Sequence, residues 1–229
     1  MYASLEPQTN RPHAQCATHT YELCLGQAAP KQFDPTKKRL GVGRHPHRGF
    51  ETVTVAFQGA VEHQDSSGNN DVIGPGDVQW MTAGRGVIHE EYHSTEFAKT
   101  GGIFEMAQLW LNLPKKHKMH APRYQPILSE AVPVVQLKAR EGDGGVAVVG
   151  SVRVIAGELE GVRGPTQTLS PVLLWDALLT PAGAVVELAA PKHVHGPDAP
   201  SVRPCGRAAK PATRGSRRSR TCLRPRAAT

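Results

Sequence analysis

Between residues 28 and 118 short apolar runs alternate with Gly, Pro, Asn and Asp, a rhythm that predicts a succession of short strands. Thr52-Val-Thr-Val-Ala-Phe57 is rich in β-branched residues and stops at Gln58-Gly59. Val61-Glu-His-Gln-Asp65 follows, then the turn-forming Ser66-Ser-Gly-Asn-Asn-Asp71. Val72-Ile73 leads into the turn Gly74-Pro-Gly-Asp77, and Val78-Gln-Trp-Met81, Ala83-Gly-Arg-Gly86 and Val87-Ile-His-Glu-Glu-Tyr-His93 continue the pattern. Strand signals every 8–12 residues favour a sandwich or barrel over βαβ units, and no amphipathic helix of twelve residues interrupts them. The predicted class is all-β.

The rest of the chain divides around that segment. Residues 1–27 read as polar and irregular. Residues 119–190 keep the β texture, with Val146-Ala-Val-Val149, Val152-Arg-Val-Ile155 and Val185-Val-Glu-Leu188 between Gly- and Pro-rich turns. After Pro191, Arg, Pro, Ala, Ser and Gly dominate, with too few apolar side chains to offset chain entropy, so residues 191–229 are expected to form a basic tail, disordered from about 196.

Charge changes this picture only when divided along the chain. The net charge of +7 suggests nucleic acid at first sight. The ten basic residues from Pro191 onward, against the single acid Asp198, give the tail +9 and leave residues 1–190 at −2. The tail therefore predicts nonspecific attraction to nucleic acid or anionic surfaces and no sequence reading. With 39% hydrophobic residues and no long apolar run, no membrane span is expected, and the start Met1-Tyr-Ala-Ser-Leu-Glu-Pro shows no secretory pattern. Four cysteines (Cys16, Cys24, Cys205, Cys222) without a CxxC pair predict neither a disulfide framework nor a cysteine-built zinc site, and point to a reducing, cytoplasmic compartment, with the nucleus open for a eukaryotic source.

The chemistry lies in His45-Pro-His47 and His89-Glu-Glu91. Residues i and i+2 of a strand point to one face, so each segment projects two ligand-type side chains together. If both strands face one barrel interior, His45, His47, His89 and Glu91 converge. Three imidazoles and a carboxylate leave two positions open on an octahedral ion, an arrangement suited to Fe(II), Mn, Ni or Cu rather than to a closed zinc site.

The runs Arg44-His-Pro-His-Arg-Gly-Phe-Glu-Thr-Val-Thr54 and Ile73-Gly-Pro-Gly-Asp-Val-Gln-Trp-Met-Thr-Ala-Gly-Arg-Gly-Val-Ile-His-Glu-Glu91 closely resemble the pirin family of the cupin superfamily. Gln108-Leu-Trp-Leu-Asn-Leu113 and Val154-Ile-Ala-Gly157 extend the likeness over residues 28–190. The resemblance implies a bicupin of double-stranded β-helix barrels, with an N-terminal metal-site domain at 28–118 and a second, partial barrel at 119–190. It implies iron held by His45, His47, His89 and Glu91, and, as in some members, cleavage of the flavonol quercetin with dioxygen, Glu91 serving as the base. It also leaves room for a non-enzymatic, redox-sensing role of the transcription co-regulator kind known in animals, or for an inactive truncated remnant.

Around this site the expectations are narrower. Glu51 is assigned a supporting role, holding an imidazole or a backbone group. Glu90, of opposite parity, faces solvent. His63 and His93 are hydrogen-bonded or rim neighbours, and Trp80, Trp110 and Trp175 are packing residues. His193-Val-His195 lacks partners and is not expected to bind metal. Against the resemblance, residues 1–27 look unlike the family's N-terminal strands and the second barrel stops near Ala190, changes that a shifted reading frame at both ends would produce.

Overall fold

Turn chemistry and β-branched runs build two facing sheets from the first half of the chain. The computed structural model describes residues 23–140 and 145–179, residue 188 and the short strand at 219–220. The elements are β1 (Leu23–Phe33), β2 (Gly41–His47), β3 (Phe50–Gln58), β4 (Val61–Asp65), β5 (Asn70–Ile73), β6 (Val78–Thr82), β7 (Val87–His93), helix α1 (Thr95–Thr100), β8 (Gly102–Asn112), β9 (Arg123–Ile127), β10 (Val134–Arg140), β11 (Val146–Ala156), β12 (Glu158–Leu159), β13 (Val162–Arg163), β14 (Leu174–Leu179) and β15 (Ser219–Arg220). All sheet pairings are antiparallel, and α1, at six residues, is the one α-helix among the described residues, in keeping with the all-β expectation. No helix among them is long and apolar enough to cross a membrane.

One sheet runs β1-β8-β3-β6-β9 and the other β2-β7-β4-β5, so consecutive strands repeatedly change sheet. The Gly74–Asp77 turn closes as its composition suggests, with the Asp77 amide donating to the Gly74 carbonyl (3.0 Å) and the Gly74 amide to the Asp77 carboxylate (2.9 Å). Gly84, at φ +51°, lies so close to the His120 carbonyl that a Cβ could not fit, and this approach seats the loop after β8 against the β6–β7 turn.

Two boundaries differ from the sequence reading. β1 starts at Leu23, inside the stretch read as irregular. It is an outer strand, held by backbone pairing from Leu23↔Leu111 to Phe33↔Gly102, which requires no apolar alternation. β9 lies beyond residue 118 yet pairs with β6, so the N-terminal sheet borrows a strand from the segment assigned to the second barrel. In that segment β10, β11 and β14 form one sheet, which β15 extends by pairing with β14 although it lies in the stretch expected to be disordered, and the two apolar runs at 146–155 are a single strand. The run at 185–187, the segment 191–218 and His193-Val-His195 lie outside the described residues.

The core is continuous across the halves. Val53, Val55, Val78 and Trp80 of the first sheet pack in one buried cluster with Ile127, Val132, Ile155 and Ala156. β3 is therefore buried on both faces, with Val53 and Val55 packed toward β11 and Thr54 turned to the barrel interior, so no position from Glu51 to Ala56 is exposed.

Candidate metal centre

The site forms inside the N-terminal barrel because β2, β7 and β4 lie side by side with their inward faces aligned. His45 is the register partner of His89, and His89 that of Asp65; in the next row Glu91 pairs with His63. The register slips between Val42 and His45, and that irregularity places His45 opposite His89. The alternation along β7 is as expected of a strand: His47, His89 and Glu91 are buried and His45 is half-buried, while Ile88 between His89 and Val87 is exposed.

Three imidazoles converge through the same atom. His45 Nε2 lies 3.0 Å from His47 Nε2 and 3.0 Å from His89 Nε2. Two nitrogens at right angles about an ion, each bonded at about 2.1 Å, are separated by about 3.0 Å, so each of these two spacings matches a pair of adjacent positions on an octahedron. Burial, reinforced by the charge His45 would carry, lowers the His47 pKa to about 4. Burial and the neighbouring imidazoles lower that of His89 to about 3. Both rings are neutral at pH 7, the state a metal ligand requires. The donor set fits a divalent transition ion.

Glu91 is placed differently. Its carboxylate forms a second metal-compatible group with His63 and His89 rather than joining the three-histidine group. The facing sheet holds it: Gln79 Nε2 donates to Oε1 (2.8 Å), Gln108 Nε2 to Oε2 (2.7 Å), and the Thr54 hydroxyl to Oε1 (3.4 Å). Thr54, Gln79 and Gln108 are register partners across β6, β3 and β8, so one polar row opposes the ligand strands. The sequence reading passed over these three residues. The available signal was an amide inside an otherwise apolar strand, in Val78-Gln-Trp-Met81 and Ala107-Gln-Leu-Trp110, since buried amides need partners.

The neighbours sort as follows. Glu51 is 1% exposed and accepts a 2.6 Å hydrogen bond from the Thr82 hydroxyl, with no imidazole or backbone group in its grasp. Glu51 is an even number of residues from His45 and His47, but the bend at Arg48-Gly49 moves β3 to the other sheet, so the three do not share a strand face. Burial raises its pKa. Glu90 is mostly covered and lies 3.7 Å from Arg39. His63 is a hydrogen-bonded neighbour, fully buried. His93 instead packs among rings, stacked on Phe104 at 4.2 Å and edge-on to Phe33 at 4.6 Å. Trp80 is core, and Trp175 packs against the second-sheet cluster. Trp110 departs from its packing assignment: it is 40% exposed, its ring lies 5.2 Å from that of His47 and 5.0 Å from that of Phe50, and its indole N–H donates to Gln108 Oε1 (3.2 Å).

Comparison with known proteins agrees with this architecture. Residues 4–111 match the model of the Pirin family, a span that includes much of the N-terminal stretch set apart from the family above. The chain is 52% identical over 170 residues to a Pseudomonas aeruginosa protein named "Putative quercetin 2,3-dioxygenase PA2418", covering 74% of this chain and 56% of that one. It is 39% identical over 142 residues to human Pirin, covering 62% and 44%. The crystal structure of a quercetin 2,3-dioxygenase from Acinetobacter baumannii superimposes with a TM-score of 0.61 at 51% identity, over 68% of this chain and 51% of that one. The chain spans about half the length of the curated relatives it matches.

Proposed function

The chain belongs to the pirin family, and from that premise we propose that it is an iron-dependent dioxygenase acting on flavonols of the quercetin type. In this reading His45, His47 and His89 are the nitrogen ligands, and Glu91 is both the carboxylate ligand and the base. The observation that carries it is the convergence of three Nε2 atoms, His45 at 3.0 Å from each of the other two, beside a carboxylate held by two side-chain amides. Two relatives at 51–52% identity that are named quercetin 2,3-dioxygenases support the substrate class.

Bound at this face, Fe(II) would polarise the flavonol's adjacent hydroxyl and keto oxygens and provide the chemistry for dioxygen. The chain's own groups do the rest. Glu91 takes the hydroxyl proton at Oε2, the oxygen that carries a single donor and keeps a lone pair free. Gln79 and Gln108 fix the orientation of that carboxylate. The exposed face of Trp110, with Phe50 behind it, offers a flat wall beside His47 against which an aromatic ring system can lie.

The test is metal content and oxygen uptake with quercetin, measured on the parent and on His47→Ala. Near-stoichiometric iron with flavonol-dependent uptake in the parent, both lost in the variant, is the expected result. A folded, iron-replete parent that consumes no oxygen would sink the proposal.

A further inference from the structure

We infer that a buried pair, Asp65 and His63, sets the proton on His89, holding it at Nδ1 so that Nε2 is left bare for the ion. The inference rests on the reading that the ion sits where the three Nε2 atoms meet, and it identifies His63 and Asp65 as positioning residues for that site.

The hydrogen-bonding chain runs inward from the β4–β5 turn. Asp65 Oδ1 accepts from the backbone amides of Ser67 (2.7 Å) and Asn69 (3.1 Å), and Oδ2 from the Asn69 side-chain amide (2.7 Å). Burial alone would favour the neutral acid, but hydrogen bonds from Asn69, His63 and Ser67 outweigh it and hold the Asp65 pKa below its usual value. An ionised carboxylate only accepts, so His63 Nε2, 3.3 Å from Oδ2, carries a proton. The other side of the ring reaches the same conclusion independently. Gln79 Nε2 lies 3.3 Å from His63 Nδ1, and an amide nitrogen only donates. The orientation of that amide is fixed twice, because the same nitrogen donates to Glu91 Oε1 at 2.8 Å while Gln79 Oε1 accepts from the Tyr124 hydroxyl at 3.5 Å. His63 therefore donates at Nε2 and accepts at Nδ1. That acceptor lies 3.4 Å from His89 Nδ1, a contact that is a hydrogen bond only if His89 carries its proton there. His89 Nε2 is then unprotonated and faces His45 Nε2 at 3.0 Å.

His45 reaches the same state by a simpler device. Its Nδ1 lies 2.8 Å from the Gly43 carbonyl, which can only accept, so its Nε2 is also bare. For the fully buried His89, a second imidazole backed by a carboxylate takes the place of that carbonyl. Tyr124, stacked on His63 at 4.7 Å and 20°, fixes the plane of the relay. A ligand imidazole backed in this way is also more basic toward metal, and loss of such support typically costs about 10–100-fold in affinity.

The test uses the full chain, 15N-labelled and metal-free, with imidazole nitrogens read by long-range 1H–15N correlation and Zn(II) affinity by chelator competition. The parent is expected to show His89 protonated at Nδ1 and bare at Nε2. Asp65→Asn, which presents a donor to His63 Nε2, is expected to move the His89 proton to Nε2 and weaken Zn(II) binding by about 10–100-fold. His63→Phe keeps the ring stack but removes the acceptor, and is expected to lose the tautomer preference. His63→Asn, with an oxygen near the Nδ1 position, is expected to restore it, a rescue that a purely structural role would not produce. A parent with Nε2–H on His89, or unchanged tautomer and affinity in both Asp65→Asn and His63→Phe, would overturn the inference. A parent with the expected tautomer that binds no metal would support the inference and overturn the metal-centre reading instead.

Discussion

His47 and His89 have their basicity suppressed by burial, and this has a direct consequence for stability in the metal-free protein. In the unfolded chain both titrate near 6.5, whereas in the fold they do so near 4 and 3. The unfolded state therefore takes up protons first as pH falls. Stability present above pH 6.5 is lost progressively on acidification, by up to about 1.4 kcal/mol per pH unit for each ring, until the folded-state values are passed. Glu51 acts in the opposite sense. Its raised pKa means that stability is lost as pH rises above 4.5, which offsets part of the histidine slope. Metal-free protein is expected to melt at a lower temperature at about pH 5 than at about pH 7.5, and His47→Asn to flatten that difference; an identical melting temperature at both pH values would contradict the assignment. At this scale the four residues of the two i, i+2 pairs were legible because parity within one strand is a local property. The amides that hold Glu91 were not, because they belong to the facing sheet and no periodicity within one strand reveals what lies opposite it.

Among the elements, β11 carries the most consequence outside the metal centre. Its inward residues Ile155 and Ala156 complete the cluster built by Val53, Val55, Val78 and Trp80, so a strand of the second half closes the core of the first. Arg153 of the same strand donates to the Gly76 carbonyl in the β5–β6 turn and lies 3.3 Å from Asp176 on β14. Ile155→Ala is expected to cost about 2–5 kcal/mol, the usual range for emptying a buried aliphatic site. Denaturant unfolding followed by tryptophan emission and by far-ultraviolet circular dichroism should show both signals shifting together, since Trp80 of the N-terminal sheet lines the emptied site. A shift confined to one signal would mean the halves melt separately. The strands themselves were readable, down to Val61–Asp65, from turn residues on either side. β1 and β9 were misplaced because outer strands are specified by backbone pairing with a neighbour distant in sequence, which leaves a weak local pattern.

For the molecule as a whole, the family and the β architecture were visible in long motifs, while the joining of the two halves was not. An apolar run such as Val152-Arg-Val-Ile155 announces burial without saying against what. The connection between β8 and β9 shows the result. Lys115 and Lys116 are exposed there, yet just beyond them Lys118 donates to the Gly49 carbonyl (3.0 Å), the Arg85 amide to the His120 carbonyl (2.9 Å), and β9 is hydrogen-bonded to β6. To a protease, then, this connection is cuttable but not separable. Brief trypsin treatment that nicks the chain after Lys115 or Lys116 is expected to yield two bands on a denaturing gel and a single unchanged peak in gel filtration, whereas fragments eluting apart would show that the shared core is too weak to hold a broken chain together.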